Sequence, residues 1–156
     1  MNNEGKDCPL AIETSGHAAL RENYFLDDGA YLVTKIVIEL AKGNDPKRII
    51  KNLKVPKEER EVRFNILCPD FKDYGLKVID GLEKFAKQIP DFKIADDNRE
   101  GIRISTNNGF FLLRCSVHDP VMPMNFESNI EGGIEEDIAK IRGFLEQFKE
   151  LDISNL

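Results

Sequence analysis

One stripe of apolar side chains constrains the fold of this chain more than any other feature. Between residues 71 and 89, large apolar residues recur at intervals of three and four, and lysines occupy the opposite positions. This spacing predicts a long amphipathic helix with Asp70 and Asp73 at its N-terminus. The apolar positions are Phe71, Tyr74, Val78, Ile79, Leu82, Phe85, Ala86 and Ile89. Such a stripe must be covered, and we expect a β-sheet to cover it.

Four segments around this helix can form that sheet. Apolar residues alternate along them, as expected of strands with one buried face. They span residues 62–66, 102–106, 110–116 and 122–127. The turn Asn107-Asn108-Gly109 is typical of a hairpin, because Asn and Gly tolerate positive φ angles. A last helix is predicted from about Gly133 to Glu150. The order β-α-β-β-β-α predicts an α+β fold, an antiparallel sheet with helices on one face.

The first 53 residues contain too few elements to form an independent core. The pattern predicts a strand over 9–13, a helix capped by Asp27 or Asp28, and a short helix opened by Pro46. Ile49, Ile50 and Leu53 are expected to pack inward. Residues 54–60 are polar and contain proline, as in a linker. We therefore predict that residues 1–53 are the end of a larger α/β domain and that 61–156 are a separate domain.

Charge and composition limit the classes of partner. The chain of 156 residues has 22 Lys and Arg against 28 Asp and Glu, a net charge of −6. An acidic protein has no diffuse positive field to attract nucleic acid. With 41% hydrophobic and 32% charged residues, and no apolar run near transmembrane length, neither disorder nor a membrane partner is expected. We expect a soluble protein, to which a small phosphorylated ligand could still bind locally.

Three cysteines, Cys8, Cys68 and Cys115, are widely spaced and form no Cys-x-x-Cys pair. The first residues lack the apolar segment of a secretion signal. Both observations favour a cytoplasmic location. Cys115 is expected to point into the core rather than act as a reactive thiol.

A strand that breaks into a polar turn carries the first candidate site. Arg114 offers a planar fork of donors, Ser116 adds a hydroxyl, and backbone N–H groups of the turn can complete a cradle for phosphate. His118 is a further donor in the same turn, although a structural role for it is nearly as plausible.

A second polar loop follows the first predicted strand. Glu13 can accept hydrogen bonds from two vicinal hydroxyls, Ser15 and His17 add polar groups, and Gly16 permits close approach of a ligand. The alternative is an ordinary capped turn with a solvated Glu13 and a packed His17. Metal binding by Glu13 and His17 is disfavoured, because the intervening Ser-Gly breaks the helix that would align them. The acidic pairs at 27–28 and 96–97 are better explained as a helix cap and a solvated loop.

These two loops together resemble those of the α-D-phosphohexomutases, the phosphoglucomutase/phosphomannomutase family. That family has a Glu-x-Ser-Gly-His sugar loop in its third domain, followed by Asp-Asp-Gly before a helix. It has an Arg-x-Ser phosphate loop in a fourth domain of the same β-α-β-β-β-α order. The resemblance implies sugar binding by Glu13, Ser15 and His17, and phosphate binding by Arg114, Ser116 and His118. One departure is that Val117 and His118 follow Arg-x-Ser where many relatives have Asn-Thr or Gly-Thr, which leaves the sugar specificity open.

The family's catalytic serine and its Asp-x-Asp-x-Asp magnesium loop have no counterpart in these 156 residues. The resemblance therefore implies the C-terminal part of a mutase: a remnant of domain three over 1–53 and domain four over 61–156. Its partners would be hexose monophosphates, hexose bisphosphates and the remaining domains, with Mg²⁺ bound only in the full-length enzyme. The enzyme would be an isomerase of carbohydrate metabolism, and this piece is expected to be inactive alone. The alternatives are a stand-alone sugar-phosphate-binding or regulatory module, and an α+β domain without a ligand.

Overall fold

The computed structural model describes residues 7–13, 16–98 and 101–156, and divides the chain into two compact units, 1–53 and 54–156. The first unit contains two strands and two helices. They are β1 (Leu10–Ile12), β2 (Ala18–Leu20), α1 (Gly29–Ala41) and α2 (Pro46–Ile50). The second unit contains six strands and two helices. They are β3 (Glu58–Ile66), α3 (Phe71–Ala86), β4 (Lys93–Ile94), β5 (Gly101–Ser105), β6 (Gly109–Arg114), β7 (Val121–Ser128), α4 (Gly133–Leu145) and β8 (Leu151–Asp152).

The first unit is a β-hairpin followed by the two helices. β1 pairs antiparallel with β2, a strand that the sequence pattern did not predict. Asp28 caps α1 by accepting a hydrogen bond from the Tyr31 N–H at 3.0 Å, as expected, and Asp45 caps α2. The expectation that Ile49, Ile50 and Leu53 pack inward is wrong. Ile49 is 73% and Leu53 is 70% exposed, because the two-stranded hairpin of this unit does not cover them.

The second unit is a six-stranded antiparallel sheet in the order β4-β5-β6-β7-β3-β8. Its order along the chain contains the predicted β-α-β-β-β-α series, with the two-residue strands β4 and β8 added at the edges. β3 begins at Glu58, so residues 58–60 belong to the sheet and not to the predicted linker. This segment is polar and has no apolar alternation, but its backbone pairs with β7 from Glu58 opposite Ser128 onward, and this pairing makes it a strand.

The core lies between one face of this sheet and the helices α3 and α4. Alternate strand residues point into it, so that Val62, Phe64 and Ile66 of β3 are buried while Arg63 and Asn65 between them are exposed. The same alternation continues in β5, β6 and β7. Burial of this kind stabilises by about 25 cal/mol for each square ångström of apolar surface removed from water. The opposite face of the sheet, called here the open face, carries the polar and charged side chains of β3 and β5 together with Phe110, Leu112 and Pro123 of the central strands.

Two details of this unit differ from the prediction made from the sequence. α4 ends at Leu145 and not at Glu150, because the chain turns at residues 147–150 to begin β8. The turn 107–109 does join two strands, but none of its residues has a positive φ. Instead the Thr106 hydroxyl accepts hydrogen bonds from the N–H groups of Asn108 (3.2 Å) and Gly109 (3.1 Å) and closes the turn. Among the described helices, none has the length and apolar content needed to cross a lipid bilayer.

Candidate functional site

The predicted phosphate loop is a closed turn between β6 and β7. The Ser116 N–H donates to the carbonyl of Val121 at 2.9 Å, and the Val121 N–H donates to the carbonyl of Asp119 at 2.7 Å. Inside the turn, the Ser116 hydroxyl oxygen accepts the Asp119 N–H at 3.2 Å. That bond uses a lone pair and not the hydroxyl proton, so Ser116 can still donate to a ligand.

Alternation along the strand separates the side chains of this loop. Cys115 packs against the core beside Gly75, where an added Cβ would lie 2.5 Å from the Cys115 Sγ. Burial raises the pKa of the Cys115 thiol, which disfavours the reactive thiolate. The expectation that Cys115 points inward is therefore confirmed. Arg114 and Ser116, on either side of it, lie on the open face together.

Several donors at this end of the sheet have no acceptor in the described part of the chain. They include the Arg114 guanidinium and the backbone N–H groups of Val117 and His118. Val117 is 68% exposed, and His118 is exposed in the same turn. A guanidinium fork, a hydroxyl and two turn amides form a set of donors that suits a tetrahedral anion.

Gly101 sets the position of Arg114 from the neighbouring strand. The two residues are paired across β5 and β6. A Cβ at Gly101 would lie 2.2 Å from the Leu113 carbonyl oxygen and 2.8 Å from the Arg114 Cα. Only glycine lets the two backbones approach this closely, so Gly101 is a positioning residue for Arg114.

A second charged group on the open face was missed by the sequence analysis. The Glu61 carboxylate accepts hydrogen bonds from Asn125 Nδ2 at 2.9 Å and from Arg63 Nε at 2.7 Å. The amide of Asn125 and then the guanidinium of Arg63 hold the pKa of Glu61 below its ordinary value, and Arg114 adds to this electrostatically. The alternation of residues along β3 indicates that Glu61 and Arg63 share one face of the strand. It does not reveal the contact with Asn125, which depends on β3 lying beside β7.

The predicted sugar loop connects β1 and β2 in the first unit. The Glu13 N–H donates to the carbonyl of His17 at 3.0 Å, and the Gly16 N–H donates to the carbonyl of Glu13 at 3.0 Å. Gly16 has φ of +87°, a conformation that favours glycine. The register of Ile12 with Ala18 continues to place Glu13 opposite His17, and both side chains are exposed. Ser15, the third predicted sugar ligand, lies outside the described residues.

The acidic pairs do not combine into a metal centre. The carboxylate of Asp28 caps α1, and the N–H of Tyr31 and the side chain of Asn23 lower its pKa. In residues 7–13, 16–98 and 101–156, no group of three or more His, Cys, Asp or Glu side chains is arranged to hold a metal ion.

Comparison with known proteins relates both sequence and structure to one group. The chain is 29% identical over 140 residues to a phosphoglucomutase of Neisseria meningitidis serogroup A, covering 88% of this chain and 29% of that protein. It is 28% identical over 148 residues to a phosphomannomutase/phosphoglucomutase of Pseudomonas aeruginosa, covering 93% of this chain and 30% of that protein. No model of a protein family matches the sequence.

A crystal structure with the same fold also carries this family name. It is a phosphoglucomutase/phosphomannomutase family protein from Burkholderia thailandensis, with a TM-score of 0.63 and 26% identity, covering 91% of this chain and 29% of that one. The chain thus spans less than a third of the length of the relatives that it matches. The structural match extends over most of this chain.

Proposed function

We propose, because the chain is homologous to the phosphoglucomutases and phosphomannomutases, that it is the C-terminal substrate-binding portion of a phosphohexomutase. The complete enzyme would interconvert hexose 1-phosphate and hexose 6-phosphate. In this proposal residues 54–156 bind the phosphate that is not reacting, and the loop at 13–17 binds the sugar hydroxyls.

The observation that carries this proposal is the set of unused donors around Arg114. An enzyme phosphoserine outside this chain would give its phosphoryl group to one end of a hexose monophosphate. The bisphosphate would then return its opposite phosphate to the serine, so both ends of the sugar must in turn occupy the distal position. Arg114, Ser116 and the turn amides can hold either phosphate there, because they recognise the phosphoryl oxygens and not the sugar carbon that bears them. Such positioning lowers the barrier to transfer.

The residues that the structure describes do not fit the magnesium ion of the reaction. Within the described ranges, the carboxylates are dispersed into helix caps and ion pairs. The serine and the metal loop would belong to other parts of the complete protein. We therefore assign only binding and orientation of the substrate to these residues.

The exposed helices of the first unit favour a piece of a larger domain over a stand-alone binding module. Val33, Val37 and Leu40 of α1 are each about half exposed, and Ile49 of α2 is 73% exposed. A protein stable by itself rarely leaves such a continuous apolar surface in water. In the proposal, preceding strands of the same α/β domain cover these helices.

Titration of the 156-residue chain with glucose 1-phosphate tests the proposed site. We expect saturable binding that Arg114→Ala weakens strongly. In the complete enzyme, the same substitution should reduce kcat/KM by about 1–3 kcal/mol of transition-state stabilisation, the range for a charged hydrogen bond. Unchanged binding and unchanged kinetics in Arg114→Ala would remove this residue from the site. The complete enzyme, assayed on glucose 1-phosphate and mannose 1-phosphate, would decide the sugar.

A further inference from the structure

Two arginines lie in the same row of the open face, on either side of a buried proline. Arg63 of β3 is paired with Pro123 of β7. On the other side of β7, Leu113 is paired with Met124, so Arg114 continues that register toward Pro123. Adjacent strands are about 4.8 Å apart, which places the Cα atoms of Arg63 and Arg114 roughly 10 Å from each other. Two side chains of this length can reach one small anion between them.

The Pro123 side chain supports this close arrangement. Pro123 points to the open face, where its neighbours on β7 and β3 are partly or fully exposed, yet it is buried. Arg63 and Arg114 are its neighbours in the row, and Leu112, Val121 and Asn125 adjoin it on the same face, so these side chains together cover it. The stems of long arginine side chains cover apolar groups in this way while their charged ends remain in water.

The Arg63 guanidinium has hydrogen-bond donors that its contact with Glu61 does not use. Its Nε donates to Glu61 at 2.7 Å, and its side chain is 64% exposed. A guanidinium has five N–H donors, so the terminal nitrogens remain for a ligand.

We propose that Arg63 is a second guanidinium ligand of the anion that Arg114 binds, and that Glu61 is the counter-charge that a phosphate must compete with. This inference rests on the proposed function, because it adds a residue to the same phosphate site. A dianionic phosphoryl group of a hexose phosphate then lies over Pro123, between the two guanidinium groups. The Ser116 hydroxyl and the turn amides bind it from the side.

Arg103 provides a matched control on the same face. Its guanidinium lies over the Phe110 ring at 4.0 Å from the ring centroid, and its terminal nitrogen donates to the Ser105 hydroxyl at 3.2 Å. Both contacts direct it along β5 away from the end of the sheet that bears Arg114. Removing its charge changes the net charge of the protein equally without altering the proposed site.

The test is a calorimetric titration of the full chain with inorganic phosphate and, separately, with glucose 1-phosphate. We expect Arg63→Gln to weaken both by about threefold to tenfold, as for a partly screened charged hydrogen bond. Arg63→Lys should recover only part of the loss, because an ammonium cannot bind two oxygens as a fork. Arg103→Gln should stay within about twofold of the unsubstituted chain, the change expected from net charge alone.

Glu61→Gln should change the affinity for phosphate in the opposite direction from Arg63→Gln. With its carboxylate neutralised, both guanidinium groups become available, and phosphate should bind about twofold to threefold more tightly. If Arg114→Ala weakens binding while Arg63→Gln behaves like Arg103→Gln, the inference about Arg63 is overturned and the proposed function stands. Weaker binding in Glu61→Gln would likewise overturn the role of counter-charge. If the unsubstituted chain binds neither probe, both proposals fail.

Discussion

Replacement of Thr106 by valine should destabilise the second unit by about 3 kcal/mol. The Thr106 hydroxyl donates to Asp137 Oδ2 at 2.8 Å and accepts the N–H groups of Asn108 and Gly109. Asp137 is only 1% exposed, and its other oxygen, Oδ1, has no hydrogen-bond partner among the described residues. Valine keeps the shape of threonine but leaves the buried carboxylate with neither oxygen bonded.

The magnitude follows from the bonds that are lost. A hydrogen bond to a charged group contributes roughly 1.5–3 kcal/mol, and the two turn N–H groups, which water can partly reach, add about 1 kcal/mol together. Thr106→Ser keeps the hydroxyl and is the matched control, with an expected cost below about 1 kcal/mol, the transfer energy of one buried methyl group.

The cost should also depend on pH. Burial raises the pKa of Asp137, and the Thr106 hydrogen bond partly opposes this rise. For a carboxyl whose folded pKa is raised, its contribution to stability is fully present below the unfolded value of 3.8 and is lost as pH rises through the folded value. Valine raises the folded pKa further, so its cost is greatest at neutral pH and shrinks as Asp137 becomes protonated.

Urea denaturation followed by circular dichroism, at about pH 7 and about pH 4.5, measures both effects. The reasoning would be refuted if Thr106→Val cost no more than Thr106→Ser at the higher pH. It would also be refuted if the difference between these variants stayed the same at the lower pH.

Two further substitutions test other parts of the chain. Glu58→Gln should lower the melting temperature at neutral pH, because Glu58 accepts the N–H groups of Gly132 (2.7 Å) and Ile134 (3.2 Å) at the start of α4. These bonds lower the pKa of Glu58, so its contribution is present above the unfolded value of 4.5 and is lost as pH falls through the folded value; thermal melts of the two proteins should converge in acid, and a constant difference would contradict this account. Glu13→Gln should weaken the binding of glucose 1-phosphate and leave that of inorganic phosphate unchanged, since the loop at 13–17 is assigned to the sugar. Equal losses for both ligands in the same titrations would show that Glu13 does not act on the hydroxyls.

Local sequence patterns predicted much of the second unit. The spacing of apolar residues predicted α3 and the alternation of β3, because each of these patterns arises within one element. The two-residue strands β4 and β8 have no such signal, since a strand of this length exists only through its neighbour. The turn at 107–109 was predicted with the wrong conformation, because the side chain of Thr106 closes it without positive φ angles.

The candidate site was predictable only where its residues are adjacent in the sequence. Arg114, Ser116 and His118 lie within one turn, and residues 13 and 17 lie within another. The group formed by Glu61, Arg63 and Asn125 depends on β3 lying beside β7, a pairing between residues about sixty positions apart. The inward packing expected for α2 failed for a related reason: amphipathic spacing shows that a face needs cover but does not show whether cover is present.

β8 and the outer side of β3 together form one edge of the six-stranded sheet. β8 pairs with Asn65 and Ile66 of β3. The Asn155 side-chain amide donates a hydrogen bond to the carbonyl oxygen of Arg63 at 2.7 Å. The rest of that edge carries glutamate and arginine side chains. An identical strand approaching in antiparallel fashion would therefore be blocked at one end by β8 and Asn155, and would meet charged side chains along the remainder. Addition of a further strand at this edge is therefore disfavoured.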